Sequence, residues 1–483
     1  MVIRFPLICF MLLLLPGAAR RPLTLKQSID QAIAASKPMA GAEIAIQIIH
    51  LADGKVLYER DPDRLMIPAS NTKLFSTALA LSRLGLDYRF ITSIRSEPNG
   101  DLVLVGGGDP SMSGRTYPYQ KEDPTHGPLQ AVEQMADQLI AGGLREVRGD
   151  VVGDDTRYPS KPYPDGWSIG DVIREYGAPV SALMVNDNRL DVTIQPGESD
   201  GDPADVTVSP AFEFLTLQNL VRTVAGGEGE IHLEGSPGGL ELRAWGAIPL
   251  ARAAEVSQLA IPDPALFAAA VLRDALIRRG VRVLGRAVAR HRALSDDYRP
   301  QEGVELARRI SPPLGQLLEV VDKVSQNLHA EVMLREVGAV RGSSGTAAAG
   351  LLELGDFLTG AGIAPDQYRF NDGSGLSRNN LVSPRAIVQL LKYMHGTPGQ
   401  GIWAGLLPIG NEDGTLRKRF KGHPEAAAIH AKTGSLGQVR ALSGYAVSKE
   451  HGELAFSILV NNYAAPDGEA IALLDNIGLR LVP

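Results

Sequence analysis

The chain has 483 residues, 44% hydrophobic and 21% charged, and its 48 basic against 55 acidic side chains leave a net charge of −7. This is an ordinary globular composition with length for roughly two to four domains, and the acidic balance argues against nucleic acid as a partner. A single cysteine, Cys9, excludes disulfides and thiol chemistry from the body of the chain.

Residues 1–20 read as an export signal. Arg4 is the charged start, Phe5 to Leu15 the apolar run, and Pro16-Gly17-Ala18-Ala19 supplies small residues for cleavage. The run is too short for a membrane span, so the mature protein is expected outside the cytoplasm, soluble or peripherally associated with the membrane. Leu25–Ala35 then reads as a helix, and Ile44–Leu51 with Lys55–Tyr58 as a hairpin turning at Asp53-Gly54. Leu74, Ala78 and Leu81 fall at i, i+4 and i+7 and predict a helix stopped by Gly85. Ser70 would sit at its start with Lys73 one turn on, along the same face. Tyr88–Ile94 reads as a further strand.

Between about residues 97 and 303 the texture changes to short β-rich runs broken by Gly, Pro and Asp, such as Leu102–Val105, Val206–Ser209, Glu230–Leu233 and Leu240–Ala244. Two stretches there look alike. Leu139–Arg145 leads to Gly149–Val152 much as Leu276–Arg282 leads to Gly285–Val288. Each reads as a helix end, a glycine stop and a strand, more simply shared turn chemistry than a repeat. Helical periodicity returns with Leu317, Val321, Val324 and Leu328, and again from Leu351 to Leu358 after the Gly/Ser/Ala-rich stretch 342–350. Val439–Val447 and Leu454–Val460 read as paired strands around Glu450-His451-Gly452, and Ala470–Leu479 as a closing helix. The early and late strands are expected to share one antiparallel sheet with helices on its faces, the middle of the chain being an insertion.

Three short motifs carry chemistry: Ser70-x-x-Lys73, Ser325-Gln326-Asn327 and Lys432-Thr433-Gly434. A serine beside an amine becomes a nucleophile if the lysine gives up its proton, and burial near another cation drives a lysine that way. Ser-x-x-Lys alone is expected by chance about once in such a chain, and Ser-x-Asn several times. The ordered set, each member at a helix start, helical turn or strand edge, is what signifies.

With Gly106–Pro110, Tyr176–Ala182, Ser311–Leu314, Asp372–Arg378, Gly410–Leu416 and Lys432–Leu436, the sequence resembles the D-alanyl-D-alanine carboxypeptidase/endopeptidase family, the low-molecular-mass class C penicillin-binding proteins typified by penicillin-binding protein 4 (peptidase family S13). The resemblance implies an α+β fold: a serine β-lactamase/DD-peptidase-like catalytic domain over residues 22–96 and 304–483, with β-rich domains inserted at 97–160 with 265–303 and at 161–264. It implies acyl transfer on peptidoglycan stem peptides, without a cofactor. Ser70 is the nucleophile and unprotonated Lys73 its base. Ser325 relays the proton to the leaving amine, and Asn327 holds Lys73 or the substrate backbone. Lys432 supplies positive charge for the terminal carboxylate. Thr433, Gly434 and Ser435 bind substrate, and the N–H groups of Ser70 and Ser435 form the oxyanion hole. Asp155, with Asp154 as rival, and Arg378 hold the diaminopimelate end. β-Lactams are expected as covalent inhibitors. Some relatives carry Gln two residues after the last serine, where this chain has Gly437 and then Gln438, a departure that bears on endopeptidase action.

Two other classes stay open on sequence: a β-lactamase-type hydrolase, and a non-catalytic wall-binding scaffold that keeps the fold. A Ser-His-Asp enzyme is disfavoured, since no Gly-x-Ser-x-Gly elbow occurs and His329 and His430 read as structural. No metal motif such as His-Glu-x-x-His occurs either.

Overall fold

The computed structural model describes residues 23–121, 127–211, 215–299, 302–342, 344–397 and 400–482; the expected export segment and Cys9 lie outside them. Among the described residues no helix is long and apolar enough to cross a membrane. A five-stranded antiparallel sheet organises the fold, in the order Ile429–Leu436, Val439–Ser448, Gly452–Asn461, Glu43–His50, Val56–Arg60. The two ends of the chain meet in it, Ile46 opposite Ile458 and Ala45 opposite Leu459. Strand Glu43–His50 is buried on both faces because helices cover both. On one side Leu25–Ala35 and Asp467–Gly478 bring Ile29, Leu473 and Ile477 against Ile46, Ile48 and Phe456. On the other, Lys73–Leu84, Leu314–Lys323, Asn327–Val340 and Pro384–His395 pack Leu74, Leu317, Leu328 and Leu391 over Ala45 and Leu459.

The middle of the chain forms a second five-stranded sheet, ordered Ala287–Arg292, Val151–Pro159, Leu102–Val105, Ile91–Ser96, Val304–Ile310. It is less purely β than its texture suggested. Helices Gln130–Ala141 and Pro264–Arg278 cover it, with Leu139, Phe267 and Leu272 packed on Leu102, Leu104 and Val151. The two look-alike stretches lie side by side and run parallel, Glu146 opposite Arg282 and Val151 opposite Ala287. Their likeness therefore has a structural counterpart.

Strands Ile91–Ser96 and Val304–Ile310, which fall at the inner ends of the two expected catalytic segments, pair with each other in this second sheet, Ile91 opposite Ile310. Just beyond this pairing Ser311 N–H donates to the Phe90 carbonyl (3.0 Å). Farther out, two three-stranded sheets, Thr216–Val224 with Ile231–Gly235 and Glu241–Pro249, and Arg189–Gln195 with Asp205–Ser209 and Glu255–Ala260, share a small core of Val192, Ile194, Val221, Leu233 and Ile248.

Candidate active site

Ser70 sits not on the helix itself but on a single 3-10 turn, Ala69–Thr72, that feeds directly into Lys73–Leu84. The turn begins with Ala69 at φ +47°, a left-handed conformation uncommon for a residue with a Cβ. Close approach from two sides holds it there. A Cβ at Gly375 (φ +85°) would stand 1.9 Å from the Ala69 carbonyl oxygen, and one at Gly434 would stand 2.6 Å from that of Pro68. Asn71 adds a tether from below, its Nδ2 donating to Ser443 Oγ at 2.7 Å.

Lys73 is fully buried, with its Nζ 3.0 Å from Ser70 Oγ, 2.6 Å from Asn327 Oδ1 and 2.6 Å from the Ser374 carbonyl oxygen. An amide oxygen and a peptide carbonyl can only accept, so each takes an N–H of the Lys73 amine. The remaining direction on Nζ faces the Ser70 hydroxyl: an N–H while the amine is protonated, a lone pair once it is neutral. Asn327 is oriented for this because its Nδ2 donates to the Tyr176 carbonyl at 2.8 Å. The electrostatics agree. Burial pushes Lys73 well below the ordinary lysine range and the Lys432 charge pushes the same way, while Asp372, Glu331 and Asp322 pull back.

Ser325 lies in the break between helices Leu314–Lys323 and Asn327–Val340, at φ +63°. Such a value in a residue with a side chain stores strain of the kind that clusters at functional sites. Its Oγ accepts from Lys432 Nζ at 2.8 Å, and Lys432 also donates to the Thr433 carbonyl at 3.0 Å. Lys432 comes from the edge strand of the catalytic sheet and is fully buried. Burial pushes its ammonium down to about 8 against the pull of Asp322, whose own carboxyl burial pushes up.

Above these groups opens a cleft of about 400 Å³ whose walls include Ser70, Ser325, Asn327, Thr433, Ser435 and Arg378. The structure thus brings the three motifs together. Lys73 and Lys432 stand just behind the cleft, each bonded to a serine in its wall. One expected substrate contact lies elsewhere in the structure. Asp155 is absent from the cleft wall: its carboxylate accepts from Ser181 Oγ at 2.8 Å and lies 2.9 Å from His291 Nδ1, inside the middle of the chain. Its rival Asp154 is likewise engaged, by Thr156 and Arg290. Gly434 lies between Thr433 and Ser435 of the cleft wall, and the closeness of Pro68 and Ala69 explains its missing side chain. Arg378 is at the rim, donating to the Gly437 carbonyl at 3.3 Å.

The sequence reading missed Ser168, Asp171 and Tyr176, which the middle of the chain lends to the cleft, and Thr415, whose hydroxyl lies 2.8 Å from that of Thr433. Tyr176 and Thr415 do fall within stretches that carried the family resemblance, the one signal available for them. The histidines are elsewhere occupied. His329 Nε2 lies 3.1 Å from Asp187 Oδ1, and His430 Nδ1 lies 3.4 Å from the Ala404 carbonyl oxygen. No cluster of three or more His, Cys, Asp or Glu suited to a metal occurs among the described residues.

A helix-flanked antiparallel sheet that presses a serine hydroxyl against a buried amine defines a class: serine hydrolases of the penicillin-recognising fold, with lysine where others use histidine. The family follows by comparison, for the D-Ala-D-Ala carboxypeptidase 3 (S13) model matches residues 25–475, and the chain belongs to that family. It is a serine-type D-Ala-D-Ala carboxypeptidase. The chain is 34% identical over 476 residues to a D-alanyl-D-alanine carboxypeptidase of Actinomadura sp. (strain R39), spanning 95% of this chain and 84% of that one. The crystal structure of penicillin-binding protein 4 from Haemophilus influenzae shares the fold at a TM-score of 0.80 and 22% identity, over 93% of this chain and 97% of that one. The same protein complexed with a β-lactam gives 0.75 at 21% identity, over 94% and 98%.

The closeness of Gly375 to the nucleophile turn yields a test. Gly375→Ala must displace Ala69 and with it Ser70, and an error of about 1 Å at a nucleophile costs on the order of a hundredfold in rate. Acylation by a chromogenic penicillin, followed by stopped flow, is expected to slow by about that factor.

Proposed function

We propose that the protein removes the terminal D-alanine from peptidoglycan stem peptides in the wall space outside the bacterial cytoplasm, through an acyl-enzyme on Ser70. The observation that carries this reading is the 3.0 Å approach of a fully buried Lys73 amine to the Ser70 hydroxyl. Lys73 takes the hydroxyl proton as Oγ attacks the penultimate D-alanine carbonyl. The N–H groups of Ser70 and Ser435 stabilise the oxyanion; fixed donors of this kind commonly lower the barrier to acyl transfer more than any other single effect. The C–N bond then breaks, Ser325 relays the proton held by Lys73 to the departing amine, which leaves Lys73 neutral again, and the acyl group stays on Ser70. Water attacks the ester, Lys73 takes its proton and returns it to Ser70 Oγ as the C–O bond breaks, and the serine is regenerated.

Lys432 draws the terminal carboxylate, with the Thr433 and Ser435 hydroxyls on it. At the far rim Asp171 and Arg378 offer a carboxylate and a guanidinium, a pair suited to the ammonium and carboxylate of a diaminopimelate end; Asp171 thus takes the part expected of Asp155. The catalytic sheet with its helices forms the working unit, and the middle of the chain is an insertion that lends the cleft one wall. β-Lactams acylate the same oxygen because their ring carbonyl stands in for the scissile one. A fluorescent penicillin is expected to label the protein covalently, and Ser70→Ala to abolish the label while the fold persists. Unlabelled wild-type protein would mean a scaffold, and an adduct hydrolysed within seconds a β-lactamase.

A further inference from the structure

We propose that a small oxyanion, a phosphate or a carboxylate, binds in a cavity apart from the catalytic cleft, where the middle of the chain meets the helix that begins at Asn327. The cavity has a volume of about 210 Å³, and its walls include Lys161, Asp165, Arg335, Thr346, Ala347 and Ala348. None of these residues lines the catalytic cleft. The inference is independent of the acyl-transfer reading.

Arg335, on helix Asn327–Val340, is 1% exposed. A buried guanidinium ordinarily faces a carboxylate, because an unpaired buried charge is costly. Arg335 forms no ion pair among the described residues. Its Nη2 donates to the Lys161 carbonyl at 2.6 Å, and its Nε has no hydrogen-bond partner. The surrounding acids are committed elsewhere. Glu331, one turn back on the same helix, accepts at Oε1 from the Gly373 and Ser374 N–H groups, and burial pushes its carboxyl up to about 7. Glu336 is held by Arg157 at 2.5 Å, and Asp155 is held by Ser181 and His291. In the wall itself, exposed Asp165 pairs with Lys161 at 3.0 Å. Asp296 and Asp297, exposed beyond the wall residue Leu294, do not line the cavity. Residues 300, 301 and 343, outside the described set, are uncharged by sequence.

A second source of positive potential meets the first. The 14-residue helix Ala347–Gly360 begins in the same wall. Thr346 satisfies two of its leading donors, Oγ1 taking Ala349 N–H at 3.0 Å and the carbonyl taking Gly350 N–H at 3.2 Å. The N–H groups of Ala347 and Ala348 have no acceptor within the helix, and the positive end of its dipole lies there. Close packing explains why this end reaches Arg335. A Cβ at Gly350 would stand 2.2 Å from the Leu334 carbonyl oxygen, and one at Gly345 would stand 2.6 Å from the Tyr158 ring. A guanidinium fork and a helix N-terminus each suit an oxyanion, and here they share one cavity in a chain whose net charge is −7. An ion held there joins the segment that follows strand Val151–Pro159 to two helices of the catalytic unit.

The test titrates the full chain with sodium phosphate and, separately, with sodium acetate, by isothermal titration calorimetry at constant ionic strength. Wild type is expected to bind one ion with a dissociation constant of about 1 mM or tighter. The same ion should raise the thermal midpoint. Tighter binding of phosphate assigns a phosphate site, and tighter binding of acetate a carboxylate site. Arg335→Met should weaken binding about tenfold or more, the factor for losing a hydrogen bond from a charged donor. Ala348→Glu supplies an arm that does not depend on a buried substitution. Position 348 is exposed, and an acid in the first turn favours the helix, so the fold persists. Its carboxylate fills the site from within, so added phosphate or acetate should no longer bind, and the ion-free midpoint should rise. If Arg335→Met fails to fold, Ala348→Glu decides alone. Absence of saturable binding of either ion to wild type, or binding that Ala348→Glu leaves unchanged, overturns the site.

Discussion

Lys73→Met is expected to slow both penicillin acylation and D-alanine release by about ten-thousand-fold while Ser70 stays in place. Methionine has nearly the same length, fits an apolar burial and carries no base. The size follows from the geometry. Ser70 Oγ has Lys73 as its bonded partner in the structure, and a serine without a base at hydrogen-bond reach is a weak nucleophile at neutral pH. The wild-type pH profile carries the same information. The neutral amine is the active form, and Lys73 is pushed well below the ordinary lysine range by burial and then by Lys432. Activity is therefore present above that lowered value and lost as pH falls through it. Removing the Lys432 charge lifts one of the two pressures, so Lys432→Gln should move this acid limb to higher pH. On the alkaline side Lys432, itself near 8, sheds the charge that draws the terminal carboxylate, and KM should climb as pH rises past it. Stopped-flow acylation and steady-state D-alanine release across pH check both limbs. A loss of only a few-fold in Lys73→Met would sink the assignment of the base.

How much of this was legible beforehand differed from element to element, for physical reasons. Helix Leu25–Ala35 and strand Leu102–Val105 could be read to the residue, because capping or turn residues bound their apolar runs. Helix Pro264–Arg278 could be read only at its end, from Leu276. It is apolar on nearly every side, so no period of 3.6 stands out, although Asp263 caps it (2.9 Å to Leu266 N) and Pro264 opens it. The stripe Leu317, Val321, Val324, Leu328 ran straight across the break that holds Ser325, because a single residue at positive φ leaves no periodic trace. In the site, the catalytic residues were legible because each sits in a short run of fixed residue types. Which carboxylate faces the cleft was not. Asp154, Asp155 and Asp171 are alike as letters, and only the tertiary fold turns Asp155 toward His291 and Asp171 toward the cleft.

Glu336→Ala is expected to destabilise the protein by about 3–5 kcal/mol, the range for removing one partner of a buried ion pair. Glu336 is fully buried on helix Asn327–Val340 and accepts from four donors on other segments. These are the Tyr88 hydroxyl, Arg157 Nε at 2.8 Å and Nη2 at 2.5 Å, and the Tyr158 hydroxyl at 2.7 Å. One carboxylate thus joins the helix that begins at Asn327 to the end of strand Val151–Pro159 and to the approach to Ile91–Ser96. Alanine leaves a guanidinium and two phenols facing a hole that their geometry was built around. The Arg157 side chain keeps 26% exposure and recovers some hydration, which points to the lower half of the range. Glu336→Gln separates charge from shape: it keeps one accepting oxygen but turns an NH2 toward donors. The glutamine variant should therefore fall between wild type and alanine. The midpoint of the first urea transition, read by tryptophan fluorescence, orders the three proteins. A glutamine variant as stable as wild type would mean that Glu336 contributes only volume at this seam, and that the helix bearing Asn327 is held in place by packing alone.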